Sequence, residues 1–410
     1  MIQQLTTKQS LQSILLGFVT ALLFSIFIYL ADMGIEIKTL NTITALIAFY
    51  LLLHIDRKAL LSAGFFIGIF WFYWISYSFK YNGAGYIAPF VVLGFGIVYM
   101  LFFGVAALSD KPYTRALILF GMSFVAPVDF NWMQLSLPFV ESYLGICKWQ
   151  LAVILLSLSL GSLIPKKQLK PLPFLLLLFA INYHDYPLRE NAPLKIKLVQ
   201  TDVKQEDKWT KKALRPTILM VYKKIEEATH QGYDLVVLPE SVIPLFLNRH
   251  PTLVDQFLLL SRNIDIVLGA LMIENNKHFN VTYHFSDGKN IEIAKKVVLV
   301  PFGEYIPLPS FLKKFVNDTF FEGASDFVTA KKPTDFTIKG IRFRNAICYE
   351  ATTDTLYQND PKYLIATSNN AWFAPSIEPT LQNLLLRYYS RLHGTTIYHS
   401  ANYKGTGVVR

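Results

Sequence analysis

At 410 residues the chain is long enough for two domains, and its 52% hydrophobic residues and net charge of +10 are unevenly spread. Residues 1–185 hold 11 Lys/Arg and 7 Asp/Glu, whereas 186–410 hold 28 against 22, a net +6, so the first part reads as membrane-embedded and the second as soluble. The two cysteines, Cys147 and Cys348, exclude a disulfide framework and zinc-type spacing. The basic excess of the second part suits either anionic headgroups or a plain solvated face.

Apolar runs near the length a bilayer requires occur at about 11–31, 39–55, 59–79, 84–108, 114–131, 147–165 and 171–183. They predict about seven spans in a helical region over 1–185, with the last run marginal. With the N-terminus inside, Lys8, Arg57, Lys58, Lys111, Arg115, Lys166, Lys167 and Lys170 fall on the cytoplasmic side. Lys38, Lys80 and Lys148 fall outside, and this asymmetry matches the positive-inside rule. Seven crossings put everything after Tyr183 outside the cytoplasmic membrane. The first run is too long for a signal peptide and lacks its cleavage site. The spans carry almost no mid-membrane charge, which argues for an anchor or lipid-facing platform over a transporter.

From about 190 to 410 short β-branched runs alternate with helical stretches. Strands are predicted at 195–201, 234–238, 264–269, 279–283, 291–300 and 363–368, with a hairpin over 336–349 and a further strand at 395–399. Helices are predicted at 206–231, 252–262 and 379–393. The order is α/β with packed sheets flanked by helices.

Three of these segments carry chemistry. Glu240 follows an apolar strand and precedes a turn, where partial burial suits a general base. Lys296 lies inside an otherwise apolar strand, where a charge is costly unless paired, while Lys295 points to the other face. Cys348 ends a strand, and a cysteine thiolate with a base and a cation nearby is a good nucleophile toward acyl carbon. For each alone the plain structural reading competes: a capping glutamate, a surface lysine, a buried cysteine.

Together, Leu238-Pro-Glu-Ser, Lys296-Val-Val-Leu-Val-Pro-Phe-Gly-Glu304, Ile347-Cys-Tyr-Glu350 and Thr367-Ser-Asn-Asn-Ala-Trp-Phe373 resemble the Glu-Lys-Cys signature of the nitrilase superfamily. With its multi-span first half, the chain is similar to the bacterial apolipoprotein N-acyltransferases. That resemblance implies a nitrilase-like α-β-β-α sandwich and a catalytic Glu240–Lys296–Cys348 triad in base, oxyanion-stabilising and nucleophile roles. It further implies supporting roles for Glu304, Tyr349 and Glu350, and substrate contacts from Trp209, Asn280, Phe302 and Trp372. For the aromatics, core packing is the rival. The implied reaction needs no cofactor and no metal. A phospholipid such as phosphatidylethanolamine donates an acyl chain, which passes through a thioester to the α-amine of a diacylglyceryl apolipoprotein.

The resemblance also implies a monomer in the bacterial inner membrane with the catalytic domain on the periplasmic side. Apolar segments at 242–247 and 306–316 are candidate lipid-entry lids, with core burial as the alternative. One departure is that the family continues past its Asn-containing strand with more sheet and a last membrane helix, so the catalytic domain looks shortened. Another is His399, where the family has an arginine. The alternatives are a tethered nitrilase-type amidase or acyltransferase for another amine, or an inactive binding module.

Overall fold

A computed structural model describes residues 2–183, 189–301, 304 and 327–410. The chain divides into two compact units, Met1–Asp185 and Tyr186–Arg410.

The first unit is helical. Among the described residues three helices are long and apolar enough to cross a membrane, Gln9–Asp32, Arg57–Tyr81 and Gly85–Gly104, of 24, 25 and 20 residues. On the third, Phe90, Leu93, Ile97 and Leu101 form an exposed apolar stripe at helical spacing, suited to lipid and costly in water. The other apolar runs fold shorter. Lys38–His54 has 17 helical residues, Pro112–Met122 only 11 and Lys148–Leu160 13. The run at 171–183 begins with two prolines and forms a tight turn, Leu172–Leu176, then Leu177–Ala180.

Short as it is, that last segment runs back along Lys148–Leu160. Ser157 Oγ donates to the Pro173 carbonyl at 3.0 Å at one end, and Gln150 Nε2 to that of Ala180 at 3.4 Å at the other. Gly145 N then donates to Ala180 O, and Asn182 N to Tyr143 O, each at 2.8 Å. The same strip meets the start of Lys38–His54, where Asn41 Nδ2 donates to Glu141 O at 3.1 Å. At the opposite end of that helix, Arg115 donates to the carbonyls of Leu53 and Ile55, and Arg57 pairs with Asp110 at 2.7 Å. The basic loops 55–58 and 109–115 therefore share one end of the unit, and the chain leaves it at the other.

The second unit is built on two sheets. The first is ordered β1-β2-β4-β5-β6, with β3 also on β4; the second is β11-β10-β9-β8-β7. In chain order the strands are β1 Ile196–Leu198, β2 Leu235–Val237, β3 Ile243–Phe246, β4 Asp265–Glu274, β5 Lys277–Ser286, β6 Asn290–Lys295, β7 Asp335–Ile338, β8 Ile341–Ile347, β9 Tyr363–Asn369, β10 Thr396–Asn402 and β11 Gly407–Val409. Strands β1, β2 and β4 are parallel, as are β8, β9 and β10.

Alternation decides the layers. On β2, Leu235 and Val237 join Val267, Phe336, Phe343 and Ile365 between the sheets, whereas Val236 packs with Val221, Ile225 and Phe257 of the outer helices. Both faces are buried, so the strand reads as one apolar run. The Lys211–His230 and Pro251–Leu260 helices cover the first sheet, which with the Glu378–His393 helix gives the sandwich its flanking layers.

Two elements depart from the sequence reading. The helix expected over 206–231 breaks into Gln205–Lys208 and Lys211–His230, because the Thr210 hydroxyl caps the second by accepting from Ala213 N. The strand expected to run to Val300 ends at Lys295, because the amides of Val297 and Val298 bond to a side chain instead of a neighbouring strand. The apolar segment 242–247 contains β3, with Val242, Ile243 and Leu247 in the core, so its interior reading holds over the lid. The lid candidate 306–316 and Phe302 lie outside the described residues. Beyond Asn402, β11 pairs antiparallel with β10 and covers its edge. His399 is fully buried, its Nε2 2.8 Å from Ser368 Oγ, and burial pushes its pKa down to about 4.

Candidate active site

Glu240 is positioned by a tight approach of two backbones. It follows β2 in a turn where Ser241 takes φ +44°, and Gly269 of β4 lies directly beneath. A Cβ on Gly269 would stand 2.4 Å from Ser241 N and 2.6 Å from Glu240 Cα, distances no side chain tolerates. Gly269→Ala must therefore push the Glu240 turn away, and a displacement near 1 Å at a catalytic group costs roughly 100-fold in kcat. Steady-state kinetics beside a melting curve check this: the loss should fall on kcat, with folding weakened by about 1–3 kcal/mol.

The Glu240 carboxylate is held from the side by Asn280 of β5, whose Nδ2 donates to Oε1 at 2.8 Å. The same nitrogen lies 3.4 Å from Glu304 Oε1. Asn280 thus contacts both acids. Immediately after β6, Lys296 N donates to the Asn280 carbonyl at 3.0 Å, which turns the side chain inward. Lys296 is 1% exposed and its Nζ sits 2.7 and 2.9 Å from the two oxygens of Glu304. Burial works against the charge, but Glu304 and then Glu240 outweigh it and raise the pKa. Its neighbour Lys295 faces outward and pairs with Glu274 at 2.6 Å.

Cys348 closes β8 at φ +57°, a strained conformation for a residue with a side chain. The segment then winds into the Cys348–Thr352 turn. Glu350 ties that turn to the Lys296 segment: Oε1 accepts from Ile347 N at 2.8 Å, and Oε2 from Val297 N and Val298 N at 2.7 and 3.0 Å. Burial pushes its pKa to about 7 against Lys296 and these amides. Tyr349 is buried beside it.

The Cys348 thiol retains intermediate exposure, yet its packed surroundings, and then the Glu240 carboxylate, raise its pKa well above the ordinary thiol value, with Lys296 opposing. The thiol is therefore held in its neutral form, and a base beside it would be needed to draw off its proton. Two results follow for alkylation by iodoacetamide. The wild-type rate should keep climbing with pH past 9, and Glu240→Gln, which removes a charge that holds the proton on, should react faster at pH 8. A rate that levels off near pH 6 would mean a preformed thiolate.

Lys208 is a member that sequence reasoning did not assign. It is buried, donates to the Glu240 carbonyl at 3.0 Å, and burial lowers its pKa to about 8 against Glu240 and Cys348. In the amide orientation that turns the Asn369 oxygen toward them, Lys208 Nζ and Trp372 Nε1 both donate to it, at 3.1 and 3.2 Å. Only its place beside Trp209 could have flagged it. Trp209 itself is 46% exposed, outside the core. Among the described residues, Glu240, Asn280, Lys296, Glu304, Cys348, Tyr349 and Glu350 thus come together at the ends of strands from both sheets.

Comparison with known proteins gives a consistent picture across both units. Residues 11–183 match the apolipoprotein N-acyltransferase integral membrane domain, and 196–391 match the carbon-nitrogen hydrolase domain. An apolipoprotein N-acyltransferase of Wolinella succinogenes is 44% identical over 95% of this chain and 94% of its own. Those of Helicobacter hepaticus and Helicobacter pylori are 36% and 35% identical over 87% and 89% of this chain. The chain belongs to the apolipoprotein N-acyltransferase family.

Proposed function

We propose that this protein acylates the N-terminal amine of diacylglyceryl lipoproteins in two steps through a thioester on Cys348. The observation that carries the reading is a single cluster in which Lys296 and Cys348 each feel the other's charge and that of Glu240, in a chain with a membrane domain of this family. In the first step Cys348 Sγ attacks the acyl ester carbon of a phospholipid, and Glu240 takes the thiol proton. Lys296 Nζ stabilises the oxyanion. The ester C–O bond breaks, Glu240 returns the proton to the leaving alkoxide, and a lysophospholipid departs. In the second step the free-base amine attacks the thioester carbon, its N–H proton passes through Glu240 to the departing sulfur, and the amide is released.

Phosphatidylethanolamine is the proposed donor, and the protein acts as a monomer with its catalytic unit on the outer face of the bacterial inner membrane. The outer placement is supported by the first unit, where the chain leaves at the end opposite the basic loops. Protease added to spheroplasts should cut after residue 183; protection from outside contradicts that placement. For the reaction, purified protein with labelled phosphatidylethanolamine should convert a diacylglyceryl-cysteinyl peptide to its N-acyl form with one lysophospholipid per product. Hydrolysis of simple amides without such transfer would favour an amidase.

A further inference from the structure

The Glu378–His393 helix packs against the Cys348–Thr352 turn. Its first residue is an acid followed by proline, a pattern that ordinarily marks a solvated helix start. Here Glu378 is 1% exposed and its Oε2 has no hydrogen-bond partner among the described residues. One turn along the same face, Gln382 is equally buried, with Oε1 accepting from Asn370 Nδ2 at 3.0 Å and Nε2 unpartnered among the same residues. An acceptor and a donor left open together inside a protein call for an occupant. Glu378 begins the helix that packs against the turn carrying Cys348, and the effect of its charge on the Cys348 thiol agrees with that placement. Burial, and then Glu240, raise its pKa well above the ordinary carboxyl value.

We propose that Glu378 recognises the acceptor in the second step: its Oε2 accepts an N–H from the incoming primary α-amine and aims the nitrogen lone pair at the thioester carbon on Cys348. This rests on the two-step reading above. The donor ester brings only oxygen acceptors to the reacting carbon, so it offers the Oε2 lone pair nothing to accept. The acceptor amine is the partner that brings N–H donors to that point. Glu378 passes no proton; the N–H proton that leaves goes to Glu240 and then to Sγ as the C–S bond breaks.

Loading and discharge can be timed separately on the full-length protein in micelles with radiolabelled phosphatidylethanolamine. Glu378→Ala should slow discharge by a diacylglyceryl-cysteinyl peptide by about tenfold or more while loading stays within about threefold. Glu378→Gln keeps a carbonyl oxygen and should restore discharge to within about threefold of wild type. A merely structural glutamate would change both steps together. Wild-type discharge in Glu378→Ala, equal loss of loading and discharge, or a glutamine variant no better than alanine overturns the proposal. Wild-type protein that never loads overturns the thioester reading, and this proposal with it.

Discussion

Replacing Cys348 by alanine is expected to abolish lipoprotein N-acylation, to below about one part in ten thousand of wild type, with little change in folding. Alanine accepts the same φ of +57° at the same cost as cysteine, and the ties that hold the turn run through Glu350 and not through sulfur. The substitution therefore removes the atom that bonds to the acyl carbon and leaves its surroundings in place. Quantifying N-acyl peptide by mass spectrometry against a matched melting curve reads both halves. Retained transfer would move the nucleophile elsewhere.

Lys296→Met should lose about a thousandfold in transfer and also weaken the fold. Methionine matches the volume of lysine, but the 2.7 Å ion pair with Glu304 disappears inside a dry cluster that still contains Glu240. Stranding a buried carboxylate costs about 3–5 kcal/mol. Loss of an oxyanion donor alone costs about 10²–10³ in rate. The two effects separate in the double variant Lys296→Met with Glu304→Gln, which should recover melting temperature and not activity. Recovery of activity in the double variant would reduce Lys296 to a counter-ion for Glu304.

The clustering of Glu240, Lys296 and Cys348 was legible in the sequence because each of them ends a β-like run in a short block of distinctive neighbours. The layering was legible for the same reason: β2 is apolar throughout because both of its faces are buried. What sequence could not show is decided by contacts between distant segments. Gly269 matters only because its backbone lies under Glu240. Lys208 reads as a solvated lysine in a polar stretch until the Glu240 turn closes over it. Glu378 reads as a solvated helix start until the packing of that helix buries it. The end of β6 at Lys295 depends on a glutamate more than fifty residues away, which takes the amides a strand would have used. In the membrane unit, apolar runs located the segments, while prolines at 127, 171 and 173 and local pairing set how much of each is helical.

The most direct measurement is the mass of the Cys348 peptide after wild-type protein meets phosphatidylethanolamine of one defined acyl chain, with no acceptor present. The expected result is an increase equal to that acyl group, removed by hydroxylamine and discharged by a diacylglyceryl-cysteinyl peptide. An unmodified Cys348 beside active transfer, or an acyl group on another residue, would contradict the thioester at the centre of this mechanism.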